Sequence, residues 1–253
     1  MKIYSIIKYT VTQNIRNRIY YILVIFAVVL IFVTALFSVL GGEQPTRIIL
    51  DFGLTSIEFF ALLLVIFSGV SLILEEIESK TIYLVLIRPI PKWYYVIGRY
   101  LGLLLSVYLS MILMYGMLIL ILFYKGWAWD INYVYAVLSS FLKIAIVGSL
   151  AVFFSLFSTS SMASLVFTFS IWILGHFSPE IMFLIKRINL LPGKIVMKVL
   201  YYIIPNLQYF NWRDYIGANV QPANWIPLAL IYGIAYCAVF LCLSIMLFNR
   251  KEV

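Results

Sequence analysis

Six long apolar runs divide this chain, and they constrain its fold more than any other feature. A helix needs about 20 apolar residues to cross about 30 Å of hydrocarbon. We place the runs at residues 19–40, 52–74, 94–124, 133–157, 162–177 and 225–248. Only 11% of the residues are charged, against about 25% in a soluble domain. The sequence therefore predicts an all-α integral membrane protein with six transmembrane helices, forming a single membrane domain over residues 1–253.

Basic residues flank the runs unevenly, and this predicts the orientation of the chain. Ten of them lie within residues 1–18, within residues 80–99 or at the C terminus, whereas only Arg47 and Lys125 lie on the short loops of the other side. Both termini are therefore expected in the cytoplasm. Because the bases flank apolar runs, the net charge of +8 indicates a membrane surface and not nucleic acid as the partner.

Residues 1–18 carry a helical pattern of their own. Ile3, Ile7, Val11 and Ile15 recur every four residues, and the basic side chains lie on the other faces. A basic helix with one apolar stripe lies flat on a membrane surface, so we predict an N-terminal interfacial helix. Such a helix could equally contact a cytoplasmic partner or serve only as a basic anchor.

The external segment 178–224 predicts short helices between the fifth and sixth spans. Ser178 and Pro179 form a typical helix start, and Pro192 and Gly193 end that helix. A second short helix follows up to residue 204. Neither helix is long enough to span the membrane.

The interval 75–102 is dense in charge, with three acids and four bases between two apolar runs. Residues 75–87 can form an amphipathic helix, and Pro89 and Pro91 then break it. We predict a short cytoplasmic helix and turn at residues 75–93. Such an element is typical of a surface through which a soluble partner transmits a conformational change to the membrane helices. An ordinary solvated loop would also fit.

The same interval carries a resemblance to a known family. It reads Glu-x-Glu-Ser-x-Thr, an apolar run, Arg-Pro-Ile-x-Lys, and then Tyr-x-x-Gly-Arg-x-x-Gly, which spans residues 76–102. This pattern resembles the signature that follows the second membrane helix of ABC-2 type transporter permeases. That family usually has glycine where this chain has Lys80. Short helices between the last two spans, and the stretch 204–214, are also similar to the family.

The resemblance implies the membrane subunit of an ABC exporter in the cell (inner) membrane. Two such permeases, identical or homologous, would work with two cytoplasmic ATPase subunits that bind ATP and Mg, so that this chain would bind no cofactor itself. The segment 75–93 would be the coupling helix. The residues implied in ATPase contact are Glu75, Glu76, Glu78, Ser79, Lys80, Thr81, Arg88 and Pro89.

Motifs for catalysis are absent from the sequence. It contains no Gly-x4-Gly-Lys-Ser/Thr phosphate loop, no HExxH and no GxSxG, and a single histidine, His176, predicts no metal site. The chain alone is therefore not expected to be an enzyme. An ion-coupled transporter or channel, or a membrane scaffold without transport, is the alternative, although an ion-coupled transporter should carry more intramembrane charges and inverted repeats.

A ridge of small residues lies four apart in the third run, at Gly98, Gly102, Ser106 and Ser110. Small residues let helix backbones approach closely, so we predict that this ridge packs against another helix.

Two charges lie inside apolar runs, and a charge in the membrane is a functional-site hypothesis. Counting from the predicted outer ends places Glu58 about 9 Å and Lys143 about 15 Å deep. The two could form a structural pair, or Lys143 could face a substrate path. Thr168 could line the same path or bond across helices.

Overall fold

The computed structural model describes residues 2–37, 45–80, 91–127, 129–187, 191–216 and 226–250. These residues form nine α-helices and two short 3₁₀ helices, and they contain no strand. The α-helices are α1 Lys2–Arg16, α2 Arg18–Phe37, α3 Pro45–Glu78, α4 Lys92–Tyr124, α5 Ile131–Phe157, α6 Ser161–His176, α7 Ser178–Arg187, α8 Leu191–Ile203 and α9 Ile226–Arg250. The 3₁₀ helices are Leu207–Phe210 and Trp212–Tyr215.

The number of candidate membrane spans among the described residues lies between four and six. Helices α3, α4, α5 and α9 are each long and apolar enough to cross a membrane. Two further pairs pass only together, because α1 bends into α2 by 66° and α6 bends into α7 by 68°. Helix α6 has 16 residues, or about 24 Å of rise, which is short of the hydrocarbon thickness. The six predicted spans are thus the upper end of the observed range.

Helix α3 is longer at both ends than the sequence predicted. It begins at Pro45 and not at residue 52, with proline in the first turn, where its missing N–H is not needed. It also runs on to Glu78, so that residues 75–78 continue the membrane helix and do not start a separate one. The helix passes through Glu75 and Glu76 because acidic side chains do not by themselves interrupt a helix.

Lys80 ends this helix in a left-handed conformation. Its φ is 58°, and its N–H donates to the carbonyl of Ile77 at 3.1 Å. Glycine is the usual residue at such a position, because a Cβ is disfavoured at positive φ. The geometry therefore gives a physical reason for the glycine that ABC-2 type permeases usually carry where this chain has Lys80.

Helices α3, α4 and α5 form the centre of the molecule. The core consists largely of their apolar side chains, such as Leu64, Leu103 and Val147, all fully buried. Helix α9 lies at the periphery, since only 11% of its apolar window is buried, against 72% for α3. An apolar helix with so little protein cover is suited to contact lipid or another chain.

The N-terminal helix packs on α4 through a face that overlaps the apolar stripe of the sequence, since Ile3, Ile7 and Val11 are half-buried. Thr10 and Asn14 are its buried residues, whereas Ile15 is 38% exposed. Polar side chains are buried here because they bond to α4, as described below.

Candidate functional site

A buried ion pair joins the end of α3 to the beginning of α4. The carboxylate of Glu76 pairs with the guanidinium of Arg99, and their side chains are only 9% and 2% exposed. The hydroxyl of Tyr95 donates to the same carboxylate at 2.5 Å. The segment 79–91 lies between these helices in the chain, so the pair fixes the two ends from which that segment emerges.

Helix α1 supplies further contacts to Arg99. One guanidinium nitrogen donates to Gln13 Oε1 at 2.8 Å and to Thr10 Oγ1 at 3.3 Å. The guanidinium carbon also lies 5.1 Å from the ring centre of Tyr9, a cation–π distance. Three helices thus meet on one cation, and we call Glu76, Arg99, Tyr95, Gln13 and Thr10 the inner cluster.

The glycines of the small-residue ridge allow α1 to approach this closely. A Cβ on Gly102 would lie 2.6 Å from Thr10 Cβ and 3.0 Å from the carbonyl oxygen of Ile7, and one on Gly98 would lie 2.8 Å from Ile6 Cγ2. These contacts are too short for any larger residue without a shift of the helices. The ridge therefore packs against α1, which the sequence did not identify as its partner.

The two serines of the ridge continue this contact toward α2. Asn14 Nδ2 donates to Ser106 Oγ at 3.2 Å, the hydroxyl of Tyr20 donates to the carbonyl of Ser106 at 2.8 Å, and Tyr20 also bonds to Ser110. All these groups are buried, so α1, α2 and α4 are joined by polar contacts as well as by close packing.

The end of α9 also reaches the start of α4. The ring of Phe248 is fully buried and stacks on Tyr95, with 5.3 Å between centroids. Lys92 Nζ lies 3.4 Å from the carbonyl oxygen of Phe248 and 5.7 Å from its ring centre. The inner cluster thus touches four helices.

The residues implied in ATPase contact fall into three groups. Glu75, Ser79 and Lys80 are exposed at the end of α3. Glu76 is buried and its carboxylate is bonded within the chain, in contrast to the exposed docking role that we expected. The side chain of Glu78, together with Thr81, Arg88 and Pro89, lies outside the described residues.

A second buried ion pair lies in the other half of α3. Lys143 Nζ is 2.5 Å from Glu58 Oε1 and 2.7 Å from Asn211 Oδ1, and His176 Nε2 is 3.9 Å from the same Glu58 oxygen. The side chain of Lys143 is 1% exposed and that of Glu58 is 15% exposed. The two are in contact, and we call these four residues the outer cluster.

The longer α3 explains why the two charges meet. Counted from Pro45, Glu58 lies about 20 Å along α3, and Lys143 lies about 18 Å along α5 from its first residue. The expectation that Glu58 lies closer to the membrane surface than Lys143 was therefore wrong, because its depth was counted from residue 52 and not from Pro45.

The outer cluster holds the 3₁₀ helices against the membrane helices. Asn211 donates to Gln208 Oε1 at 2.8 Å, and Gln208 donates to the carbonyl of His176 at 2.8 Å. Arg213 donates to Thr55 Oγ1 at 2.7 Å. Segment 207–215 is thereby attached to α3, α5 and α6.

The remaining candidate, Thr168, is fully buried and donates to the carbonyl of Ser164 one turn earlier, at 2.8 Å. Ser164 in turn donates to the carbonyl of Phe154 on α5 at 3.0 Å. Thr168 thus satisfies its hydroxyl within α6 in this conformation. Within the described residues, no group of three or more His, Cys, Asp or Glu side chains could hold a metal ion.

The all-helical architecture and the candidate membrane spans agree with a match to a known family. A family model described as ABC-2 family transporter protein covers residues 4–253. The chain belongs to this family. The ABC-2 protein is therefore a multi-pass membrane transport permease, a membrane subunit that is not itself an ATPase, from a family that normally works with ABC ATPase partners. None of the curated proteins compared with the chain matches it.

Sequence reasoning missed the central roles of Arg99 and Asn211. Arg99 was counted among the bases of the cytoplasmic interval, yet it lies about 10 Å along α4, between the ridge residues Gly98 and Gly102. A cation beside a glycine ridge in an apolar run was the available signal. Asn211 lies in the stretch 204–214 that resembles the family, but nothing in the local pattern connected it to Lys143.

Proposed function

We propose that this ABC-2 protein is the permease subunit of an ATP-driven exporter in the cell (inner) membrane. Two cytoplasmic ATPase subunits would bind ATP and Mg, and two permeases, either identical or homologous, would form the path between them. The segment 75–93 would be the coupling element, and the whole chain would act as one transmembrane domain. The family membership supports the permease role, and the inner cluster supports the site of coupling.

The observation that carries the proposal is the ion pair between Glu76 and Arg99. It ties the last turns of α3 to the third turn of α4, on either side of the segment that would receive the ATPase. A displacement of that segment by the ATPase would then move α3 and α4 together, because separating a buried charge pair is costly. If α3 and α4 were not linked at this position, the same displacement could move the segment without moving the helices.

The exposed charges of Glu75 and Lys80 support docking of an ATPase subunit beside this pair. The excess of bases around them favours the cytoplasm for this face and for both termini. A reporter fused after Val253 should read cytoplasmic and one inserted at Gly126 should read external, and the opposite result would overturn this orientation.

The coupling role is tested by Glu78→Ala combined with Arg88→Ala. The tagged chain is purified in nanodiscs with its ATPase, and both retention of the ATPase subunit and permease-dependent ATP hydrolysis are measured. We expect the double variant to reach the membrane normally but to lose ATPase retention or stimulation. Arg47→Ala with Asp51→Ala is the matched control, since it removes an exposed pair of opposite charges at the other end of α3.

Two results would contradict the proposal. Normal retention and normal hydrolysis in the Glu78/Arg88 variant would remove segment 75–93 as the coupling element. If the wild-type chain carries no ATPase that binds ATP, and vanadate-sensitive hydrolysis is absent from the purified complex, the ATP-driven mechanism itself is wrong.

A further inference from the structure

A cavity of about 420 Å³ opens between α1 and the last turns of α3. Its walls include Arg16 and Asn17 from the bend between α1 and α2, the amide of Gln13, and Ser71 and Glu75 from α3. Arg16 and Glu75 carry opposite charges, yet neither forms an ion pair with any residue that the structure describes. The cavity is thus lined by a cation and an anion that do not form an ion pair with each other.

The charge pattern of α2 and α3 indicates the level of the cavity in the membrane. Glu75 is the first charged residue of α3 after the uncharged stretch 59–74, and Arg16 and Arg18 directly precede the apolar run of α2. Charged residues at the end of an apolar helix mark the boundary of the hydrocarbon. Both walls of the cavity therefore reach the membrane surface at the same boundary.

The two walls have opposite electrostatic character. On one side lie the cation of Arg16 and the side-chain amide of Asn17. The Oδ1 of Asn17 accepts a hydrogen bond from the N–H of Ile19 at 3.0 Å, so its NH₂ group can donate to an anion. On the other side, Glu75 and the hydroxyl of Ser71 can accept hydrogen bonds from a cation. A ligand that suits both walls carries a phosphate and a primary ammonium group.

We propose that this cavity binds the headgroup of a zwitterionic phospholipid with a primary amine, such as phosphatidylethanolamine. The phosphate faces Arg16 and Asn17, and the ammonium faces Glu75 and Ser71. A choline headgroup would carry the same charges but could donate no hydrogen bond to Glu75, and a glycerol headgroup would leave Glu75 without a cation. The proposal concerns lipid binding alone and does not rest on the ATP-driven mechanism.

The test measures which lipids the full-length protein retains. The chain is placed in nanodiscs of phosphatidylethanolamine, phosphatidylcholine and phosphatidylglycerol in equal amounts with identical acyl chains, and the retained lipids are counted by native mass spectrometry. We expect enrichment of phosphatidylethanolamine over both other lipids. Arg16→Gln and Glu75→Gln should each reduce that enrichment by about 1.5- to 5-fold, the range for the loss of one partly exposed charge contact.

Lys8→Gln is the matched control for Arg16→Gln. Lys8 is also an exposed base of α1, but it does not line the cavity, so its loss should leave the enrichment unchanged. An equal fall in both variants would mean that general surface charge attracts the lipid, and the proposal would be wrong. Glu75→Gln should in addition raise the share of phosphatidylglycerol, because it removes an anion facing the headgroup.

Three further outcomes would overturn the proposal. If phosphatidylglycerol is preferred by the wild type, the site is one for anionic lipid. If inorganic phosphate displaces phosphatidylethanolamine as well as soluble phosphoethanolamine does, the site recognises a free anion and not the zwitterion. If the two variants lower ATPase retention and leave the lipid ratios unchanged, the cavity is a protein contact.

Discussion

The two buried ion pairs of this permease both use α3, but they differ in what they join and in how completely they exclude water. The inner pair ties α3 to α4, with side chains 9% and 2% exposed, and is surrounded by α1 and by aromatic rings. The outer pair ties α3 to α5, includes a carboxylate that is 15% exposed, and bonds to the amide of Asn211 in a 3₁₀ segment.

This difference suggests that the pairs have different mechanical consequences. At the inner end, α1, α3, α4 and α9 meet around charged groups beside the segment 79–91, so that movement of one helix must involve the others. Around the outer pair, Lys143 also donates to Asn211, which in turn donates to Gln208 within the segment 207–215. The inner pair is suited to transmit a force between helices, and the outer pair is suited to hold the segment 207–215 against α3 and α5.

The largest effect is expected when the inner pair is broken. Arg99→Met should lower the free energy of unfolding by about 3–5 kcal/mol, because the carboxylate of Glu76 would stay buried without its cation. Adding Glu76→Gln should restore part of that loss. The measurement is thermal stability of the monodisperse protein in detergent for both single variants and the double variant.

An exposed pair provides the control for this measurement. Arg47 and Asp51 lie 4.0 Å apart with side chains 67% and 60% exposed, so Arg47→Met should change stability by less than about 1 kcal/mol. If the losses of stability caused by the Glu76 and Arg99 substitutions simply add in the double variant, the two residues do not stabilise each other. The pair would then not transmit a force between α3 and α4.

Breaking the outer pair should have a smaller effect. Lys143→Met should cost about 3 kcal/mol, the lower end of the range for a buried pair, because Glu58 is more exposed and His176 remains 3.9 Å away. Adding Glu58→Gln should restore part of the folded protein. If Lys143→Met leaves folding intact and alters transport, Lys143 faces a substrate path. A loss larger than that of Arg99→Met would reverse the comparison between the clusters.

The sequence could identify the outer charges but not the inner pair, for physical reasons. Glu58 and Lys143 interrupt apolar runs, so the cost of a charge in hydrocarbon marks them directly. Arg99 lies near the end of a run, where a base normally faces water, and its burial depends on the docking of α1 through Thr10 and Gln13. That docking is a tertiary contact between segments about 90 residues apart, and helical periodicity carries no information about it.

The small-residue ridge also shows that the sequence does not identify the partner in a tertiary contact. Its spacing in the sequence predicted close packing, and the structure contains that packing, but the partner helix was recognisable only from the fold. The predicted apolar stripe of α1 did not identify this partner, because the most buried residues of the packed face, Thr10 and Asn14, are polar hydrogen-bonding groups.

A test that acts on the inner cluster alone is Gly102→Ala. The added Cβ would lie 2.6 Å from Thr10 and 3.0 Å from a backbone oxygen of α1, so we expect α1 to shift and stability to fall by about 1–3 kcal/mol. Gly116→Ala, in the same helix, is the matched control, since its Cβ would have no neighbour within 4 Å. That control should gain up to about 1 kcal/mol from helix propensity. Equal effects at the two glycines would contradict the tight docking of α1.

The smallest expected effect concerns the end of α3, where Lys80 adopts a φ of 58°. A residue with a Cβ costs roughly 1–2 kcal/mol in this conformation, so Lys80→Gly should raise the free energy of unfolding by about 1 kcal/mol and the Tm by about 2–4 °C. Lys80→Ala removes the same charge but keeps the Cβ, and it should leave the Tm nearly unchanged. If alanine stabilises the protein as much as glycine does, the gain comes from removing a positive charge at this exposed turn and not from the backbone. A gain found with glycine alone would instead identify the left-handed turn as a strained position beside the inner cluster.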